Sequence, residues 1–207
     1  MPKDTFLNLD TEKQQRVFDA AIDEFAEHSF NEAKLSRIIK TAKIPRGSFY
    51  QYFEDKTDLY KYVFQEITKH KLSYFGDDLQ NPEEISFIDL FRILYQRGLQ
   101  FALDNPKYIQ ITRKLMSDRG RDIFNEVMGR GLELAKEYYL RYIEIDKKHG
   151  RIRNEIDSDI LADFIVETTT TLSLTEFTHQ KELNVEHMFH RIEQFLLILQ
   201  KGIEKVH

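Results

Sequence analysis

The chain has 207 residues, of which 41% are hydrophobic and 31% charged, with a formal net charge of −5 and no cysteine. This length suits one large or two small domains, and the composition is that of a folded globular protein rather than a disordered one. The absence of cysteine excludes a disulfide framework and a thiolate metal site. No apolar run approaches the roughly 20 residues needed to cross a bilayer, and the opening stretch MPKDTFLNLD lacks the apolar core of a signal segment. The expectation is a cytoplasmic protein with no membrane partner.

Thr11-Glu12-Lys13-Gln14 has the pattern of a capping box, and Phe18, Ala21, Ile22 and Phe25 follow as the apolar stripe of a first helix. Leu35, Ile38, Ile39 and Ala42 fall at i, i+3, i+4 and i+7, one face of a second helix. Lys43 and Ile44 interrupt that pattern. Pro45 suits the first turn of a further helix, where no backbone donor is needed. Phe49 and Phe53, four apart, point inward from it, leaving Arg46, Ser48, Tyr50, Gln51 and Tyr52 outward or sideways. Two short helices joined by a tight turn, with a polar and aromatic outer face, read as a helix-turn-helix. Asp55 is placed to cap a fourth helix beginning at Lys56, with Leu59, Tyr60, Val63, Phe64 and Ile67 on its inner face.

Charge marks the same segment. Residues 33–53 hold five basic residues, Lys34, Arg37, Lys40, Lys43 and Arg46, and no acidic one, although Glu32 and Glu54 flank them. A basic island on an acidic chain docks on phosphates while the rest of the surface is repelled, which orients the molecule.

Residues 11–64, centred on LSRIIKTAKIPRGSFYQYFEDKTDLY, resemble the DNA-binding domain of the TetR family of bacterial transcriptional regulators. The resemblance rests on Ala42, Pro45, Arg46, Gly47, Ser48, Phe49, Tyr50, Tyr52, Phe53 and Lys56 and covers about a quarter of the chain. Two positions depart from the pattern. The turn carries Lys43 where the family has Gly, so a side-chain-bearing residue must take the turn geometry at about 1 kcal/mol. The second helix opens on Ala33 where the family has Thr, with Asn31 available to cap instead.

Beyond residue 75 the stretch GDDLQNPEE breaks the helical pattern. Periodicity returns with Phe87, Leu90, Phe91, Leu94, Gly98, Phe101 and Ala102, and Asn105-Pro106 stops that helix. A short helix is expected from Pro106 to Met116. A longer one follows from about Arg119 to Lys148, interrupted or loosened at Gly129 and Gly131 and stopped by His149-Gly150. Asp157 or Ser158 caps the next, and the last runs from about Val185 to Lys205. Thr168 to Thr171 are four consecutive β-branched residues that favour a strand locally; the helical spacing around them makes the segment helix. The fold class is all-α, with a helix-turn-helix DNA-binding domain over residues 1–75 and a helical ligand-binding and dimerisation domain over residues 76–207. The last two helices are apolar over much of their circumference and call for cover. The resemblance implies that they form a four-helix bundle with a second copy, a homodimer, and Phe195 and Leu199 lie on the stripe of the last helix.

The candidate DNA-binding residues are Lys34, Ser36, Pro45, Arg46, Gly47, Ser48, Tyr50, Gln51, Tyr52 and Lys56. Arg46, Ser48 and Gln51 are suited to base edges. Gly47 allows a close backbone approach. Tyr50 and Tyr52 would donate hydroxyls to phosphate from exposed rings that want cover, and Lys56 adds a cation to the same phosphate row. Lys34 and Ser36 touch flanking phosphate; Arg37 and Lys40 face Glu or Asp elsewhere. The partner is double-stranded operator DNA, near-palindromic, read by two heads roughly 34–36 Å apart. The resemblance implies repression relieved by a small-molecule effector, for which Tyr95, Phe101, Tyr108, Met116, Phe124, Phe164 and Thr168 are candidate lining residues. No cofactor and no catalytic residue is expected. Gly129-Arg130-Gly131 lacks the third glycine and the preceding strand of a phosphate loop. Glu176/His179 and Glu204/His207 have the Glu-x-x-His spacing of helical di-iron sites, which keeps a metalloenzyme in view beside a protein-binding module without DNA contact.

Overall fold

The structure, a computed structural model, describes residues 1–76, 83–179 and 184–203. Ten helices are present among them: α1 Asp4–Leu7, α2 Thr11–Glu27, α3 Leu35–Thr41, α4 Arg46–Tyr52, α5 Lys56–Phe75, α6 Phe87–Asp104, α7 Pro106–Ser117, α8 Asp122–Lys148, α9 Ser158–His179 and α10 Val185–Ile203. They fall in two compact units, Met1–Lys71 with Asn105–Gly129, and Leu72–Asp104 with Arg130–His207. α7 and the start of α8 thus belong with the first unit, although they follow residue 75 in the chain; α7 packs on α2.

In the first unit, Val17, Ala21 and Phe25 of α2, Ile38 of α3, Phe49 and Phe53 of the α4 end, and Leu59, Tyr60 and Val63 of α5 are buried together with Phe6. The cap of α2 is Asp10, not Thr11: its carboxylate accepts the Lys13 amide at 2.8 Å, while the Gln14 side-chain amide donates to the Leu7 and Leu9 carbonyls. Asp55 caps α5 as expected, accepting the Asp58 amide at 2.8 Å. Asp58 in turn accepts the Glu54 amide at 3.1 Å, one residue before the cap, so the two acidic residues together close the entry to α5.

Asn31 does not cap α3. The first residue before that helix, Lys34, donates its amide to Glu24 of α2 at 2.6 Å, and the Arg37 guanidinium donates to both oxygens of the same carboxylate. Glu24 is buried, so one acidic side chain supplies the N-terminal acceptor that α3 lacks and binds α3 to α2. Burial alone would raise the Glu24 carboxyl. The hydrogen bonds from Arg37 and the Lys34 amide, with the guanidinium charge, outweigh it and hold the carboxyl below its ordinary value.

α3 ends in a paired turn. The Ile44 amide donates to the Ile39 carbonyl and the Lys43 amide to the Lys40 carbonyl, both at 3.2 Å, which is the Schellman arrangement. Its left-handed position is Lys43, with φ of 54°. Among the described residues it alone has positive φ without being glycine, and the conformation costs about 1 kcal/mol relative to Gly. Ile44, buried, anchors the turn, and Pro45 stands just outside α4 as its N-cap rather than within its first turn.

In the second unit the core joins Phe87, Leu90 and Phe91 of α6, Tyr142 and Ile143 of α8, Leu161 and Ile165 of α9, and Ile192, Leu196 and Leu199 of α10. α8 runs without a break through Gly129 and Gly131, contrary to the interruption expected there; helix hydrogen bonding tolerates a glycine at about 1 kcal/mol each. Gly150, with φ of 70°, ends α8 in a second Schellman turn, its amide on the Lys147 carbonyl and the Arg151 amide on that of Asp146. The buried Asp146 carboxylate accepts from the Phe87 amide and from Arg151, each at 2.8 Å, and so ties the start of α6 to the end of α8. Asp157 caps α9 through the Asp159 and Ile160 amides. The threonine run is helical: Thr169 and Thr170 donate their hydroxyls to the Ile165 and Val166 carbonyls at 2.7 Å, taking the polar groups back onto the helix.

Replacing Glu24 with Ala removes the acceptor of a helix-terminal amide and a charge pair at once, and is expected to cost about 1–3 kcal/mol in denaturant unfolding at pH 7. Because the folded-state carboxyl lies below its ordinary value of 4.5, its contribution is complete above that pH and is lost as pH falls through the lowered folded value. The gap between wild type and Glu24→Ala should therefore close progressively below pH 4.5, and an equal gap at pH 7 and at acid pH would be inconsistent with this role.

Candidate nucleic-acid interface

α4 presents its outer face between two fixed ends. Phe49 and Phe53 are fully buried, their rings stacked at 5.6 Å, and turn the opposite side of the helix to solvent. Pro45, Arg46, Gly47, Tyr50 and Gln51 are exposed and Ser48 is half-buried. On the preceding helix Lys34, Ser36 and Lys40 are exposed, as is Lys43 in the turn. These residues bring polar side chains and cations onto one contiguous stretch, whose acidic neighbours Glu32 and Glu54 stand at its ends. Arg37 contributes less, since Glu24 holds its guanidinium.

Gly47 has no packing reason within the chain. A Cβ built there meets nothing within 4 Å, and the backbone is ordinary helix. A helical glycine costs roughly 1 kcal/mol relative to alanine, so packing within the folded chain does not account for glycine at this exposed position.

Two candidates take different places from those expected. Tyr52, expected outward, is 5% exposed. Its ring lies 5.8 Å from the Phe6 ring, with the Lys13 ammonium 5.7 Å above it, so the ring is covered within the chain. Tyr50, 44% exposed, leaves its ring open to solvent. Lys56, expected as a phosphate donor, turns its ammonium inward to the Phe30 and Ala33 carbonyls at 2.6 and 3.0 Å and over the Phe30 ring at 4.6 Å. Burial pushes its ammonium below the ordinary lysine value, with the Glu24 charge acting the other way. Lys56 is a tie between the start of α5 and the loop that leads into α3.

The N-terminal segment joins the site, and sequence inspection missed it. The Lys3 amide donates to the Tyr52 carbonyl at 2.8 Å, the Lys3 ammonium to the Tyr50 carbonyl at 2.9 Å, and the Thr5 hydroxyl to the Gln51 carbonyl. Phe6, fully buried, packs against Tyr52, Phe53 and Tyr62. The one signal in the chain was Phe6 itself, an isolated aromatic residue in a polar stretch with no periodic partners.

The candidate effector residues are not gathered in one unit. Tyr108, Met116 and Phe124 belong to the first and Tyr95, Phe101, Phe164 and Thr168 to the second. Tyr108 lines a surface hollow of about 270 Å3 with Phe18, Tyr62 and His70. Met116, Phe124 and Phe101 are buried, the last with its ring 5.2 Å from Tyr74. Tyr95 packs against Phe189, and Thr168 is half-buried. Phe164 is 51% exposed, which corrects its reading as a wall of an internal pocket. The side chains of Glu176 and His179, and residues 204–207 altogether, lie outside what the structure describes; among the described residues no three His, Asp or Glu gather at metal-binding distance. No helix of the described residues is long and apolar enough to cross a membrane.

A family model described as bacterial regulatory proteins of the TetR family matches residues 17–63, which hold α3, α4 and the turn between them. An HTH-type transcriptional regulator of Staphylococcus aureus strain USA300 is 30% identical over 102 residues, 48% of this chain and 52% of its own length. The regulator YvdT of Bacillus subtilis is 30% identical over 84 residues, 41% of each chain. The match thus spans about half the length of these curated relatives. A TetR-family regulator from Chloroflexus aurantiacus, solved as a crystal structure, is 28% identical and superposes over 100% of both chains with a TM-score of 0.69. The transcriptional regulator FadR of Bacillus subtilis, solved in complex with stearoyl-CoA, shares the fold at 17% identity and a TM-score of 0.69 over 93% of this chain and 99% of its own. With its helix-turn-helix at the matched residues and an all-helical chain following it, this protein is similar to TetR-family regulators.

Proposed function

We propose that the protein is a transcriptional regulator that binds near-palindromic duplex DNA as a homodimer, and acts as a repressor released by a small-molecule effector. The observation that carries the DNA reading is the outer face of α4, where Arg46, Gly47, Tyr50 and Gln51 stand exposed beside Lys34, Lys40 and Lys43 on an otherwise acidic chain. Such a face gains from phosphates through its cations and discriminates bases through Arg46 and Gln51. Dimerisation is supported by an uncovered apolar row in the second unit: Ile160 and Phe164 on α9, and Leu197 and Ile198 on α10, between 39% and 69% exposed. Phe195 and Leu199, the expected contact positions, are instead buried in the subunit's own core. A bound effector would act by shifting the population of dimers able to seat both heads.

Arg46→Ala and Gln51→Ala should each cost about 1–3 kcal/mol on the preferred site, selected from a random duplex pool, and less on unselected DNA. Equal losses on both would make these residues phosphate contacts.

Gly47→Ala should move two properties in opposite directions. Stability should rise by about 0.5–1 kcal/mol, because a helical glycine is replaced at an uncrowded position, while affinity for DNA should fall as the added methyl meets the duplex. Unchanged DNA affinity would remove the close-approach role.

Ile198→Glu should convert the dimer to a monomer near 24.8 kDa by light scattering at micromolar concentration, with helicity retained. It should lose site binding with an intact reading head, since two half-sites no longer share one effective concentration. Phe195→Glu, charging a core position, should unfold the subunit instead.

A further inference from the structure

α4 ends with three carbonyls that the helix cannot satisfy for itself. The Phe53 amide closes on the Phe49 carbonyl, and the chain then leaves in extended conformation, with φ of −134° and ψ of 151° at Phe53. The carbonyls of Tyr50, Gln51 and Tyr52 follow in sequence. Each is met from the N-terminal segment: Tyr50 by the Lys3 ammonium, Gln51 by the Thr5 hydroxyl, Tyr52 by the Lys3 amide. Phe6 holds the segment down, its ring 4.8 Å from Phe53 and 5.2 Å from Tyr62 of α5. Lys3 also pairs with Glu54 at 2.8 Å, just beyond α4.

We propose that residues 3–6 are a clamp that sets the orientation of α4, and that Thr5 and Lys3 are positioning residues for DNA reading although neither reads a base. This rests on the DNA reading above. The physical reason is the length of the helix. Seven residues form too few internal hydrogen bonds to hold a rotation about the helix axis by themselves. Phe49 and Phe53 fix one face, and a rotation about that contact displaces Tyr50 and Gln51, which lie between the two rings along the helix and turn away from the fixed face. Three donors placed on the carbonyls of those two residues and of Tyr52 oppose that motion. Thr5 is exposed, and its hydroxyl is the side-chain donor that bonds the backbone of Gln51 itself. The contact adds little to the core, so its effect should fall on the precision of α4 rather than on global stability.

The experiment uses the full chain with Thr5→Val, which keeps the side-chain shape and removes the donor, and Thr5→Ser, which restores it. Without DNA, amide hydrogen exchange over residues 49–53 should quicken about fivefold in Thr5→Val, with the amides of α2 and the thermal midpoint unchanged. On the site preferred by wild type, Thr5→Val should bind about fivefold more weakly, with affinity for random duplex unchanged, and Thr5→Ser should restore the wild-type ratio. Exchange over residues 49–53 equal to wild type overturns the clamp whatever the DNA result. A fall in thermal midpoint with equal losses on preferred and random DNA overturns it too, since that is a general structural role. If wild type enriches no sequence from a random pool, the DNA reading fails, and the exchange measurement still decides whether the clamp orders α4.

Discussion

A helix of seven residues has no independent stability, and the position of α4 is therefore set by everything around it. Its buried side carries Phe49 and Phe53, stacked in the core of the first unit. Its entry follows a Schellman turn whose left-handed residue is a lysine. Its exit is closed by donors from residues 3 and 5. The loop before α3 is tied to α5 by Lys56, and α3 is tied to α2 by Glu24. None of these contacts is large, yet together they remove the freedoms that a short helix would otherwise have.

The charge of the site is divided between holding the fold and facing outward. Of the five basic residues in 33–53, Arg37 is spent on Glu24, and just beyond the island Lys56 is spent on two carbonyls; Lys34, Lys40, Lys43 and Arg46 remain exposed. Their exposure matters more than their number, because a cation held by a buried carboxylate releases no counterion from DNA. Lys43 occupies a strained conformation at the centre of this face, and the glycines at 76, 120 and 150 show that the chain uses Gly elsewhere when the backbone turns left-handed.

The second unit makes a parallel division on its last helix. Phe195, Leu196 and Leu199 turn inward onto α6 and α9, while Leu197 and Ile198 turn outward. Five apolar residues in succession or near it would be wasteful on a one-sided surface helix. They are reasonable when one side meets the subunit's own core and the other meets a second surface.

The order of the helices from α2 onward, the breaks at Asn105-Pro106 and Gly150, the cap at Asp55, a cap for α9 at Asp157 or Ser158, and the lysine in the α3–α4 turn were legible in the sequence, because each depends on residues within one or two turns of one another. The inward pair Phe49 and Phe53 was legible for the same reason. What only the tertiary structure decided involves partners distant in the chain. Tyr52 is buried because Phe6 covers it; Lys56 points inward because two carbonyls of residues 30 and 33 lie within its reach; α3 is capped by Glu24 rather than by Asn31 because α2 passes beside it. On α10 periodicity marked an apolar band but could not apportion it, since Phe195 and Ile198 differ only in which neighbour stands against them. Helical spacing determines which residues share a face; what that face meets is set by packing, and no local pattern encodes it.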